Sequence, residues 1–93
     1  MKQFDWNEEK NQQLKATRNV SFEDVITALE NKQLLGELVG KGNYSHQKQY
    51  IVNINNYPYV VPYVEDDKTI FLKTIFPNRK LKHLLQGQDN EQT

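Results

Sequence analysis

The chain contains no cysteine, which excludes a disulfide framework and a thiolate-ligated metal site. It also lacks any apolar run long enough to span a membrane. The first residues do not have the basic and apolar order of a signal peptide, because Asp5, Glu8 and Glu9 follow closely after Met1. These absences predict a cytoplasmic protein with no membrane association.

Net charge is absent as well, since 12 Lys and Arg balance 12 Asp and Glu over 93 residues. Most nucleic-acid-binding domains instead carry an excess of cations. The balance is uneven along the chain, however, because acidic residues crowd the first third, whereas the segment 34–86 carries seven Lys and Arg against four Asp and Glu. A neutral protein can therefore still present a locally basic surface. The length predicts a single domain, 1–86, with a polar and disordered tail, 87–93.

Two helices are predicted after a short strand at Phe4 and Trp6. The first, 7–17, is rich in good helix formers and offers only Leu14 and Ala16 as apolar contacts, so it should be largely exposed. Asn19 suits the left-handed conformation that ends a helix.

The second helix is predicted from its cap and its apolar face. Ser21 and Asp24 have the spacing of a variant capping box. The helix should continue to about Glu30, because apolar residues recur on one face at Phe22, Val25, Ile26 and Leu29.

Beyond Gln33 the apolar period becomes two, which is typical of strands. The predicted strands are Leu34–Val39, Tyr50–Ile54, Tyr57–Val64 and Ile70–Phe76. Asn55-Asn56 should form a tight turn, and the last three strands an antiparallel meander. Pro58 and Pro62 require a free edge or a bulge, because proline cannot donate a backbone hydrogen bond.

A short C-terminal helix should begin at Asn78, pack inward through Leu81, Leu84 and Leu85, and end near Gly87. The predicted fold is therefore α+β: N-terminal helices packed on an antiparallel β-sheet, with a short C-terminal helix.

Motifs of cofactor chemistry are also missing. The sequence has no Gly-rich phosphate loop, no His-x-x-x-His, no nucleophile elbow and no carboxylate cluster at metal-ligand spacing. We therefore expect no cofactor and no metal. The two histidines, His46 and His83, are most simply surface or packing residues, and the acidic run 65–67 is most simply a solvated turn.

The tyrosine series has two interpretations. Aromatic side chains on a sheet can stack on unpaired bases, but at a period of two they more often form a core or a cross-strand ladder. The series consists of Tyr50, Tyr57, Tyr59 and Tyr63.

The segment Lys73–His83 carries the strongest functional signal. Arg79 and Lys80 fall in the first turn of the predicted helix, where cations oppose the helix macrodipole, so an anion such as phosphate would fit there. Lys73 would be delivered by the preceding strand. Metal-free RNA cleavage needs cations on the phosphate and groups that move protons, and Lys73 or His46 would have to serve as the base.

The sequence also resembles a known family. Phe4-Asp-Trp-Asn-Glu-Glu-Lys10 is followed by Val20-Ser-Phe-Glu23 and, later, by Ile75-Phe-Pro-Asn-Arg-Lys80. This ordered set resembles the BrnT family of type II toxin–antitoxin ribonuclease toxins and extends to about Leu85. The chain departs from the family pattern at 17–19, where a histidine is missing, and at Thr74, where the family has arginine.

The resemblance implies a RelE-like fold and a small bacterial toxin that cleaves RNA. It further implies neutralisation by a neighbour-encoded antitoxin, commonly a ribbon-helix-helix protein, through which the pair contacts operator DNA. Lys10, Arg79 and Lys80 match basic positions of the family, and we expect Lys82 and His83 to extend the RNA-phosphate-binding surface. The alternative hypothesis is a non-catalytic module of the same fold that binds a protein partner or nucleic-acid phosphate.

Overall fold

The computed structural model describes residues 2–40 and 47–85. Its elements follow in the order β1 Gln3–Trp6, α1 Glu8–Arg18, α2 Phe22–Glu30, β2 Leu34–Val39, β3 Lys48–Ile54, β4 Tyr57–Glu65, β5 Thr69–Leu72, β6 Phe76–Pro77 and a 3-10 turn Arg79–Leu81. The predicted tail, 87–93, lies outside the described residues.

The strands form one sheet in the order β1-β5-β4-β3-β2, with β6 pairing a second stretch of β4. Strands β2 to β5 run antiparallel, and β3, β4 and β5 form the predicted meander. β1 adds a parallel pair with β5, which makes the sheet mixed. The predicted α+β class, with N-terminal helices on a largely antiparallel sheet, is confirmed.

The caps of both helices are as predicted. Asn7 Oδ1 accepts a hydrogen bond from Lys10 N–H at 3.0 Å at the start of α1. Asn19 ends that helix in the left-handed region, with φ of 57°. Ser21 and Asp24 form both bonds of the capping box at α2.

The apolar contacts of α1 were predicted only in part. Leu14 is buried, but Ala16 is exposed. Residues two apart on a helix do not share a face, so the neighbour of Leu14 in the interface is Asn11, three residues earlier. Asn11 is fully buried, accepts from Phe22 N–H at 2.8 Å and donates to Glu23 Oε1 at 2.9 Å. It thereby joins the two helices.

The main core lies between the helices and one face of the sheet. Phe22 is fully buried and its ring stacks on Trp6 of β1, with centroids 5.6 Å apart. The buried members of this core are Leu14, Val20, Phe22, Val25, Ala28, Tyr50, Val52, Ile54, Val61, Tyr63, Leu72 and Ile75. The predicted amphipathic face of α2 is therefore confirmed.

The β3–β4 hairpin closes through the predicted tight turn. Asn55 and Asn56 have φ of 56° and 63°, the positive values that a type I′ turn requires at both central positions. Asparagine tolerates this conformation better than most residues do, which explains the turn.

A bulge interrupts the strand predicted as Ile70–Phe76. Tyr63 of β4 pairs with Leu72 of β5, whereas Val60 of β4 pairs with Phe76 of β6. The two β4 residues between these pairs, 61 and 62, therefore face three residues, 73–75, on the other chain segment. The prediction of one strand through to Phe76 is wrong after Leu72, because a continuous strand could not pair Tyr63 with Leu72 and also Val60 with Phe76.

The prolines of β4 account for the position of this irregularity. Pro62 and Pro58 accept backbone hydrogen bonds on this side, from Lys73 N–H at 2.8 Å and Asn78 N–H at 3.1 Å. Neither proline can donate in return, so a regular ladder cannot form here. The irregularity expected from the prolines is therefore present, but the extra residue lies in the facing segment 73–75 and not within β4.

The sheet face opposite the helices has a smaller buried group, formed by Ile51, Pro58 and Val60. The segment after β6 contacts β4. It is not the predicted α-helix from its start: Arg79–Leu81 is a three-residue 3-10 turn, and helical hydrogen bonding appears only at 83–85, where the described part ends.

An ion-pair cluster joins β1, β3 and β4 at one end of the sheet. Glu65 contacts Lys2 at 2.7 Å and also pairs with Lys48. The hydrogen bond from Lys2, followed by that from Lys48, lowers the pKa of the Glu65 carboxyl from 4.5 to about 2. The hydrogen bond that Lys48 donates to the Glu65 carboxylate raises the pKa of Lys48.

Glu65→Gln is expected to reduce the loss of stability on acidification. The carboxyl has a lower pKa in the folded state, so its stabilisation is complete above pH 4.5 and is lost as the pH falls towards about 2. Glutamine does not titrate, so the substitution removes the pH-dependent stabilisation by the Glu65 carboxylate. The melting temperature, followed by circular dichroism through that pH window, measures the effect.

The matched control is Glu30→Gln at the end of α2, where the described residues form no ion pair with the carboxylate. It should leave the pH profile unchanged. If the Glu65→Gln profile runs parallel to that of the unsubstituted protein, the ion-pair cluster does not contribute to acid stability.

Candidate functional site

The predicted cations at the C-terminal end lie together on the surface. Asn78 Oδ1 accepts from Lys80 N–H at 3.1 Å, so the predicted cap is present. Arg79, Lys80, Lys82 and His83 are all exposed. No ion pair neutralises them within ranges 2–40 and 47–85. We call residues 79–83 the basic segment.

Local contacts orient two side chains of the basic segment. Lys82 Nζ lies 5.2 Å from the centroid of the Tyr57 ring. His83 Nδ1 lies 3.1 Å from the carbonyl oxygen of Lys80. The macrodipole argument for this site is wrong, because a three-residue 3-10 turn has too few aligned peptides to form one. The side-chain charges alone would hold an anion here.

Lys73 lies apart from the basic segment. Its backbone is held at Pro62 and that of Asn78 at Pro58, four residues away along β4. At the rise of a β-strand, this places the two backbone positions roughly 13 Å apart. The predicted site at Lys73–His83 therefore consists of two separate groups of cations.

Lys73 instead shares a cleft with Lys10. Trp6 of β1 pairs with Leu72 of β5, so the residues that follow the two parallel strands, Asn7 and Lys73, emerge side by side. The cleft has a volume of about 500 Å³. Its lining is Asn7, Glu9, Lys10, Gln13, Phe71 and Lys73. We call it the Lys10–Lys73 cleft.

Arg18 supports this region and was not anticipated from the sequence. Its Nη1 donates to the carbonyl oxygen of Ile75 at 2.5 Å, tying the end of α1 to the bulge that follows Lys73. The sequence signal that could have indicated Arg18 is its position in the segment 17–19, where the chain departs from the BrnT pattern.

The tyrosines belong mainly to the core. Tyr50 and Tyr63 are buried and stack with centroids 4.1 Å apart and an interplanar angle of 13°. Tyr63 donates to Glu37 Oε2 at 3.1 Å, and burial raises the pKa of its hydroxyl. Base stacking on these two rings is excluded, and the core interpretation is confirmed for them. Tyr57 and Tyr59 are half-buried and meet edge to face.

The remaining predicted candidates lie elsewhere. His46 is outside the described residues. The run 65–67 was expected to be a solvated turn, which holds for Asp66 and Asp67 but not for Glu65, the ion-paired last residue of β4. Asp66 Oδ1 accepts from Lys68 N–H and Thr69 N–H. No group of three His, Asp or Glu side chains in the described ranges is placed to hold a metal ion. None of the helices described is long and apolar enough to cross a bilayer.

Comparisons with known proteins give similarity at the level of structure. No protein-family model matches the chain, and no curated protein sequence matches it. The crystal structure of the Brucella abortus ribonuclease toxin BrnT aligns with a TM-score of 0.60 and 16% identity, covering 84% of this chain and 97% of that one. YafQ from E. coli aligns with a TM-score of 0.49 and 11% identity, covering 87% and 98%. The resemblance predicted from the sequence is thus confirmed for the fold: this chain has the RelE-like fold of BrnT.

Proposed function

We propose that the chain is the toxin of a bacterial type II toxin–antitoxin system and acts as a metal-independent endoribonuclease. The observation that supports this is the shared fold, which spans nearly the whole length of a ribonuclease toxin. Two groups of surface cations, at the basic segment and in the Lys10–Lys73 cleft, supply the charge needed to hold RNA phosphates.

Cleavage would proceed through the ribose 2′-hydroxyl. Its oxygen attacks the adjacent phosphorus, the bond from phosphorus to the 5′-oxygen breaks, and a 2′,3′-cyclic phosphate remains. A base accepts the proton of the 2′-hydroxyl, and an acid protonates the leaving 5′-oxygen. Arg79 and Lys80 stabilise the charge on the pentavalent phosphate. His46 acts as the base, while Lys10, Lys73, Lys82 and His83 bind flanking phosphates.

A neighbour-encoded antitoxin neutralises this activity in the proposal. An acidic segment of such a partner, commonly a ribbon-helix-helix protein, would cover the uncompensated charge of the basic segment. The pair would contact operator DNA through the antitoxin, and both proteins would act in the cytoplasm.

A non-catalytic interaction module is the second candidate. Exposed apolar side chains at and near the edge strand β2 favour it, because unpaired strand edges and apolar surface are common docking sites. These side chains are Leu34, Leu38, Val39 and Val64.

Induced expression and an RNA assay distinguish the two. Expression of the chain alone is expected to arrest growth, and co-expression of the adjacent reading frame should restore it. The purified protein should cleave single-stranded RNA equally well with and without EDTA, leaving cyclic phosphate ends, while a mock purification from empty-vector cells should not. Intact RNA together with stable binding of the neighbour-encoded protein would instead support the interaction module.

A further inference from the structure

The Lys10–Lys73 cleft combines features that recognise a nucleotide and not only a charge. Two ammonium groups, one aromatic ring and two side-chain amides line one concavity, whose volume of about 500 Å³ lies in the range of small-ligand sites.

We propose that this cleft binds one unpaired nucleotide, with its base against the Phe71 ring and its phosphate between Lys10 and Lys73. The identity of the ligand as RNA rests on the proposed function. The cleft itself is assigned from its lining.

Phe71 is positioned to act as a stacking platform. It is half-buried, so its ring is fixed by the sheet but still lines the cleft. Lys73 Nζ lies 5.8 Å from the ring centroid, which places cation and aromatic face within the span of a single nucleotide. Stacking requires a base that is not already paired, which restricts the ligand to a single strand.

The lysines are brought together by the parallel β1–β5 pair and held by backbone contacts. Lys10 is half-buried in the first turns of α1, and its N–H bonds to the capping Asn7. Lys73 is anchored through its N–H at Pro62, next to the bulge that Arg18 ties to α1. The backbone that carries each lysine is therefore fixed in position.

Glu9 provides the sharpest test, because it is the one carboxylate lining this cleft. A carboxylate repels a bound phosphate but attracts an amine or a basic peptide. Neutralising Glu9 therefore strengthens binding of one class of ligand and weakens binding of the other.

The probe is a fluorescein-labelled hexanucleotide with 2′-fluoro ribose, which cannot be cleaved through the 2′-oxygen, measured by fluorescence anisotropy on the full chain. Phe71→Leu is expected to weaken binding about ten-fold with an unchanged salt dependence, and Phe71→Tyr should restore it. Lys10→Ala with Lys73→Ala should lower the slope of log affinity against log salt by about 1.4. Glu9→Gln should tighten binding about two-fold.

The matched control, Lys15→Ala with Lys68→Ala, removes two exposed lysines that do not line the cleft and should keep the affinity close to that of the unsubstituted protein. Equal affinity of Phe71→Leu for the probe, or equal binding of a duplex, would overturn the stacking assignment. Unchanged or weaker binding of the probe by Glu9→Gln would show that no phosphate of the probe lies beside Glu9, and would overturn its placement in the cleft. Because the probe resists cleavage, binding in the cleft without ribonuclease activity would refute the proposed function and leave this inference standing. RNA cleavage that survives the cleft substitutions would overturn this inference and leave the proposed ribonuclease activity standing.

Discussion

Replacing both Arg79 and Lys80 with alanine is expected to abolish growth arrest and to lower the RNA cleavage rate by at least about a thousand-fold. Both side chains are exposed and neither is paired with a carboxylate in the described ranges, so their charge is available to a phosphate. Loss of one such group from a transition-state site commonly costs a factor of about 10²–10³. Growth after induction and initial rates on a labelled RNA measure the result.

The double substitution should leave the fold intact, because neither side chain is buried. Circular dichroism and the melting temperature check this. Lys15→Ala with Lys68→Ala is again the charge-matched control and should remain toxic. Undiminished toxicity of a correctly folded Arg79→Ala, Lys80→Ala protein would move the catalytic site away from the basic segment.

Phe22→Ala is expected to lower the free energy of unfolding by about 3–5 kcal/mol. Phe22 is fully buried at the first turn of α2, between the helices and β1, and its ring stacks on Trp6. The substitution leaves a cavity in the main core. A small domain has a total stability of about 5–15 kcal/mol, so this loss is a large fraction of it. Urea denaturation followed by circular dichroism and by the fluorescence of Trp6 measures the change.

Val39→Ala serves as the comparison, because Val39 is 55% exposed on the edge strand β2. Its cost should stay within about 0.5 kcal/mol. A Phe22→Ala protein that unfolds at the same urea concentration as Val39→Ala would show that the interface between the helices and the sheet is not the main source of stability.

In the proposed function, the two cationic groups would mark the two ends of a path for RNA along β4. The contacts at Pro62 and Pro58 fix the backbone near Lys73 and near the basic segment at opposite ends of the same stretch of strand. Arg18 fixes the bulge between them through its hydrogen bond to the carbonyl oxygen of Ile75.

Local features were predictable because short-range interactions decide them. The capping box at Ser21, the left-handed Asn19 and the Asn55-Asn56 turn each depend on residues within one turn of chain, and all are present. The apolar face of α2 was equally clear from its period. The error at Ala16 arose because apolar residues were counted without asking which face of the helix each one occupies. The buried neighbour of Leu14 is Asn11, a polar residue that a search for apolar residues does not find.

The site depended on contacts between residues distant in sequence. The sequence by itself determined the two N-terminal helices, the main strands, the fold class and the residues able to carry positive charge. Strand β5 ends at Leu72 because β4 pairs with β5 in one register and with β6 in another. No local sequence pattern encodes this change of register. The pairing of Trp6 with Leu72 in parallel strands brought Lys10 and Lys73 into one cleft. Only the tertiary structure could decide that grouping, because strand register is set by the packing of the whole sheet against its core.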